Sequence, residues 1–105
     1  MLARSLGLAR SFAQYYGQPW RNARLARLYR PFVAAGALCF DVGAHVGHRT
    51  RCWRRLGARV IAIEPQADCV AVLRALYGRD PAVTIVPCAV GREPGTATLY
   101  EAPST

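Results

Sequence analysis

The chain has 105 residues, which is enough for one small domain and too few for two. Its formal net charge of +8 arises from fourteen basic residues, all arginine, against six acids; this balance suits nucleic acid, an anionic membrane surface or an acidic partner, although an arginine- and alanine-rich composition also follows from a GC-biased genome, the plainer reading. No apolar run approaches the ~20 residues of a membrane-spanning helix, and the cysteines at 39, 52, 69 and 88 form no C-x-x-C pair, which argues against a zinc site and for buried free thiols in a reducing cytoplasm.

Residues 1–16 carry apolar side chains at Leu2, Leu6, Ala9, Phe12, Ala13 and Tyr16, which is helical spacing. Transit peptides and membrane-surface helices share this acid-free, arginine-bearing composition, but there is no continuous apolar core, and an amphipathic helix covering a sheet is the expectation. Gly17-Gln18-Pro19 breaks it. A second helix is predicted from Trp20, with Trp20, Leu25, Leu28, Tyr29 and Phe32 near one side and Arg21, Arg24 and Arg27 on another. The arginine stripe reads as a solvated face before a phosphate grip. Pro31 and Gly36 end this region, so 1–36 is taken as an N-terminal helical segment and 37–105 as the unit that follows.

That unit opens on Leu38 to Val42, a buried strand, followed by a glycine loop from Gly43 to Gly47. A helix from His48 to Leu56 comes next, with Trp53 and Leu56 toward the sheet and Arg51, Arg54 and Arg55 toward water, closed by Gly57. A second strand, Arg59 to Ile63, ends in Glu64. This is a nucleotide-cofactor βαβ unit. Gly43 and Gly47 bracket the turn where a side chain would block a ligand from the backbone. Glu64 lies 21 residues after Gly43, at the strand end where an acid accepts hydrogen bonds from ribose hydroxyls. A phosphate-cradling P-loop requires a lysine, and the chain has none. A dinucleotide fold wants Gly-x-Gly-x-x-Gly, and the loop Gly43-Ala-His-Val-Gly47 supplies two glycines of three. Asp41 at the loop mouth would repel a pyrophosphate and attract an ammonium and a sulfonium, a charge pattern that favours S-adenosylmethionine. His45 and His48 invite a general-base reading; a packing or hydrogen-bonding role is preferred, with His45 the better placed of the two.

Beyond Glu64, Pro65 opens a third helical pattern with Val70, Leu73, Leu76 and Tyr77 on one face and Gly78 past its end. Asp80-Pro81 then turns the chain into an apolar strand over Val83 to Val90, expected to pair beside the second strand. Gly91 to Gly95 is a turn, and Thr96 to Glu101 reads as a further strand.

Phe40-Asp41-Val42-Gly43-Ala44-His45-Val46-Gly47-His48-Arg49-Thr50 and Leu56-Gly57-Ala58-Arg59-Val60-Ile61-Ala62-Ile63-Glu64-Pro65-Gln66, with Ala89-Val90-Gly91, Gly95-Thr96-Ala97 and Pro103-Ser104-Thr105, resemble the FkbM-type S-adenosylmethionine-dependent methyltransferases from about Pro19 onward. Arg92 departs from the pattern, which often has an acid there. The resemblance implies an α/β, Rossmann-like class I methyltransferase fold and methyl transfer, usually to an oxygen of a small molecule or sugar. It implies that Asp41, Gly43, Ala44 and Gly47 line the methionine and ribose side of the cofactor, that Glu64 holds the ribose diol, and that Cys88, Ala89 and Val90 lie by the adenine, with His45 and Pro65 completing the set. A class I sheet has seven strands and this chain supplies three parallel ones plus one, an incomplete parallel sheet with N-terminal helices. The expectation is therefore a cofactor-binding half, truncated at its C-terminus. No catalytic residue and no metal ligand is assigned, and a completing protein partner or a homo-oligomer is expected in place of nucleic acid. An inactive remnant or interaction module is the alternative, and an arginine-rich nucleic-acid binder the third reading.

Overall fold

Three short apolar runs form a parallel sheet: β1 (Leu38–Val42), β2 (Arg59–Ile63) and β3 (Val83–Val86), in the order β1-β2-β3. The computed structural model describes residues 7–10, 13 and 16–98. Helices α1 (Pro19–Tyr29), α2 (His48–Arg55) and α3 (Ala67–Tyr77) precede and connect the strands. Residues 7–10, 13 and 16 are also helical, and the rest of the helix expected over 1–16 lies outside the described residues. Pro19 opens α1, where its missing N–H costs nothing. The end of α2 is a Schellman motif: the Gly57 N–H donates to the Arg54 carbonyl at 3.0 Å and the Ala58 N–H to the Trp53 carbonyl at 2.9 Å.

The alternation along β2 decides where the core forms. Val60 and Ala62 point to the same face; Val60 packs with Val33, Cys52, Trp53 and Ala58, and Ala62 packs with Ala44 and Leu73. Tyr29 of α1 meets Trp53 edge-on, with ring centroids 5.4 Å apart. All three helices therefore cover one face of the sheet. On the other face Leu38, Phe40 and Val42 are 48%, 57% and 54% exposed. They stand in register beside Arg59, Ile61 and Ile63.

Several sequence expectations change in three dimensions. In α1 the half-buried stripe is Leu25, Ala26 and Tyr29, whereas Trp20 and Leu28, and Phe32 beyond its end, are exposed; steps of roughly 100° per residue put Trp20 opposite the centre of that stripe. The strand expected over Val83 to Val90 stops at Val86. Pro87 has no N–H for a ladder, and the Cys88 N–H folds back on the Val86 carbonyl at 2.9 Å. Cys88 is consequently exposed, Cys39 half-buried, and Cys52 and Cys69 buried, all four as free thiols. Residues 96–98 are not strand, and the remainder of the strand expected to Glu101, with Pro103-Ser104-Thr105, lies outside the described residues. Arg54 does not face water alone. Its Nε lies 2.7 Å from Asp80 Oδ2 and its Nη1 donates to the Ala58 carbonyl at 2.8 Å, bracing α2 against the turn before β3.

Candidate cofactor site

Because the strands run parallel, the carboxyl ends of β1 and β2 open side by side, and the loop after β1 is built against the end of β2. The backbone turns through three left-handed residues: Gly43 (φ 70°), His45 (φ 55°) and Gly47 (φ 86°). The amides of Gly43 and Ala44 both donate to the Ile63 carbonyl, at 2.9 and 3.0 Å. A left-handed backbone costs a residue with a side chain about 1–2 kcal/mol. Glu64 offsets that cost at His45. Its Oε1 accepts the His45 N–H at 2.8 Å, while Oε2 accepts the Gln66 N–H at 2.9 Å. Hydrogen bonds to a charged acceptor contribute about 1.5–3 kcal/mol. Glu64 is buried, and each of its oxygens keeps a lone pair beyond the backbone bond it accepts.

The two glycines serve different ends. A Cβ at Gly43 would meet nothing within 4 Å, so the approach to the loop there is open. At Gly47 a Cβ would come within 2.8 Å of Leu73 Cδ2 and 2.9 Å of Tyr77 Cε2. The space that the sequence reading reserved for a ligand at Gly47 is filled by protein. Behind the loop Tyr16 donates to the Val46 carbonyl at 2.7 Å and lies 2.6 Å from the Tyr77 hydroxyl, which reaches the Gly47 carbonyl at 3.3 Å. Burial raises the pKa of both phenols above the ordinary tyrosine value, so this clamp is neutral.

Asp41 is fully buried on the helix-covered face. Thr50 Oγ1 donates to its Oδ2 at 2.8 Å, and Arg49 Nη2 lies 3.0 Å from its Oδ1. The same Nη2 donates to the carbonyls of Val42 and Gly43 at 3.3 and 3.2 Å. The group presented at the loop mouth is thus Arg49, a third exposed, with Asp41 beneath it. Ala44 is fully buried against Ala62 and Leu73, which leaves only its backbone for a ligand. His48 turns away into a cavity of about 300 Å3 between α1 and α2, beside Asn22, Arg51 and Arg55. Burial, and then the charge of Arg49, lower its pKa.

Pro65 and the exposed Cys88, Ala89 and Val90 line an open hollow of about 600 Å3 together with Pro87 and Glu93. The sequence-predicted residues therefore fall into two groups, one around the loop and one around this hollow, joined by the adjacent Glu64 and Pro65. Sequence reasoning overlooked Arg49, Thr50, Tyr16 and Tyr77. Thr50, on the first turn of α2, was legible as a polar residue beside a buried strand end; the tyrosine pair, 61 residues apart, was not. Among the described residues no cluster of three or more His, Cys, Asp or Glu could hold a metal.

Comparison with known proteins bears on the fold. No family model matches the sequence, and no curated protein matches it. Solved structures do match. A protein described as an rRNA methylase from Clostridium thermocellum superposes with a TM-score of 0.56 at 18% identity over 64% of this chain and 39% of that one. The C-terminal domain of precorrin-6Y C5,15-methyltransferase from Rhodobacter capsulatus gives 0.52 at 29% identity, over 59% and 35%. A protein described as an RNA methyltransferase from Pyrococcus horikoshii gives 0.54 at 25%, over 62% and 35%. The fold is thus a partial Rossmann-like methyltransferase fold, and the matches span between 35% and 39% of these structures' length. Among the described residues no helix is long and apolar enough to cross a membrane.

Proposed function

We propose that the chain forms the S-adenosylmethionine-binding part of a methyltransferase of the FkbM type, transferring a methyl group to an oxygen of a small molecule or sugar. The observation that carries this reading is the pairing of the open Gly43 with the Glu64 carboxylate. Glu64 fixes the loop through His45 and retains one lone pair on each oxygen for the two ribose hydroxyls. Pro65 with Cys88 to Val90 supplies the hollow for the adenine. The cofactor, when bound, supplies the electrophilic methyl group; the residues of this chain bind and orient it, since an aligned acceptor and a water-poor site carry most of the remaining barrier. Likeness to methyltransferase structures supports the same class.

The acceptor need not be small. Two of the three structural neighbours are described as acting on RNA, and with a net charge of +8 the expectation against nucleic acid has no support from them. The exposed β1 face favours a covering layer. Parallel sheets are ordinarily buried on both faces, and here α1, α2 and α3 all lie on one face. That layer comes from a further stretch of methyltransferase fold, in this or another polypeptide, which would also hold the acceptor. Four free thiols suit a reducing compartment such as the cytoplasm.

Calorimetric titration of the purified chain with S-adenosylmethionine and with NAD tests the cofactor assignment. Saturable binding of the methyl donor alone, weakened at least about tenfold by Glu64→Gln through loss of charge-assisted hydrogen bonds, is expected. No binding of the methyl donor by a chain that circular dichroism shows to be folded would overturn it.

A further inference from the structure

We propose that Arg49, held in place by the buried Asp41, binds the carboxylate of the cofactor's amino-acid end; this rests on the S-adenosylmethionine reading of the site. The inference starts from a mismatch in how the two side chains are satisfied. Asp41 is fully buried, takes one hydrogen bond from Thr50, and faces Arg49 across 3.0 Å in an ion pair whose Oδ1 has no hydrogen bond among the described residues. Arg49 Nε is likewise enclosed without a hydrogen-bond partner among them. Beside the 3.0 Å ion-pair contact, its Nη2 makes two long bonds, 3.2 and 3.3 Å, to carbonyls. A guanidinium that served only to neutralise Asp41 would be expected to meet it as a fork, with two parallel bonds. Here both partners keep unused capacity.

Position supplies the second argument. Arg49 belongs to the first turn of α2, where backbone N–H groups and the helix dipole favour an anion. It contacts the Gly43 carbonyl, at the glycine whose side-chain direction is open. Asp41 holds the guanidinium there before any ligand arrives, so a carboxylate would meet a preorganised cation. Adenosine, NAD and other nucleotides without an α-amino acid group gain nothing from this pair, which makes it a source of selectivity separate from Glu64.

Two ligands differing only in the carboxylate test this on the intact chain: S-adenosylmethionine and decarboxylated S-adenosylmethionine. The wild-type protein should bind the first at least about tenfold more tightly, as expected for a charge-assisted fork. Arg49→Ala should bring that ratio below about twofold while leaving the affinity for the decarboxylated ligand within about threefold. If Arg49→Ala does not fold, because Asp41 is left buried and uncompensated, Arg49→Lys keeps the charge without the fork and should narrow the ratio. Equal affinity of the wild type for the two ligands overturns the proposal, as does a ratio unchanged by substitution at Arg49. Failure of the wild type to bind either ligand overturns the cofactor assignment itself, and the carboxylate role with it.

Discussion

Placing a methyl group on each loop glycine in turn separates the packing role from the ligand role. Gly47→Ala forces a side chain into a left-handed backbone at φ 86°, and drives its Cβ within 2.8 Å of Leu73 Cδ2, 2.9 Å of Tyr77 Cε2 and 3.2 Å of Tyr16 Oη. The backbone term is about 1–2 kcal/mol and the overpacking term about 1–3, giving about 2–5 kcal/mol of destabilisation. Gly43→Ala meets the backbone term alone, at φ 70° with nothing within 4 Å of the new Cβ, so about 1–2 kcal/mol is expected. Small domains have only about 5–15 kcal/mol in total, so Gly47→Ala should show a large drop in urea midpoint and Gly43→Ala a modest one. Titration with S-adenosylmethionine should then invert the order: the folded fraction of Gly47→Ala binds nearly as the wild type does, whereas Gly43→Ala loses most of its affinity because the methyl projects into the approach. Equal destabilisation by both substitutions, or a Gly43→Ala protein with undiminished affinity, would refute the division of roles between the two glycines.

The tyrosine clamp predicts an alkaline limb of stability. Tyr16 and Tyr77 both have folded-state pKa values raised above 10.0, chiefly by burial, so the unfolded chain loses these protons first; their contribution is full below pH 10 and declines as pH rises beyond it. Thermal melts of the wild type from pH 8 to 11 should show this fall, and Tyr16→Phe/Tyr77→Phe should flatten it; an unchanged slope would mean that these phenols do not govern it. On the uncovered sheet face, Phe40→Glu should change stability by no more than about 0.5 kcal/mol, since Phe40 is 57% exposed. It should also reduce concentration-dependent association in sedimentation velocity, because an exposed apolar face and open edge promote pairing. Association that persists unaltered would place the sticky surface elsewhere.

What the sequence determined by itself is the local grammar of the site. Short apolar runs located β1 and β2, glycine spacing located the turn, Gly57 marked the end of α2, and an acid closing β2 marked Glu64 as the polar group at the strand end; each signal is contained within a few residues, so it survives without a fold. The parallel pairing of β3 beside β2 was also legible, because a helix of the length of α3 has to separate parallel neighbours. What only the tertiary structure decided concerns pairs of groups distant along the chain. Nothing near Gly47 in sequence announces that Leu73, Tyr77 and Tyr16 fill the space beside it, or that Tyr16 and Tyr77 meet behind the loop. Trp20, Leu28 and Phe32, read as lying near one side with Leu25 and Tyr29, do not share the buried stripe, because a helix's periodicity defines a stripe only to within a residue or two, and contact with Trp53 and Val33 chose Leu25, Ala26 and Tyr29. The apolar composition of β1 recorded that both its faces are suited to burial, but only the three-dimensional arrangement could tell that all three helices lie on one side, leaving Leu38, Phe40 and Val42 uncovered.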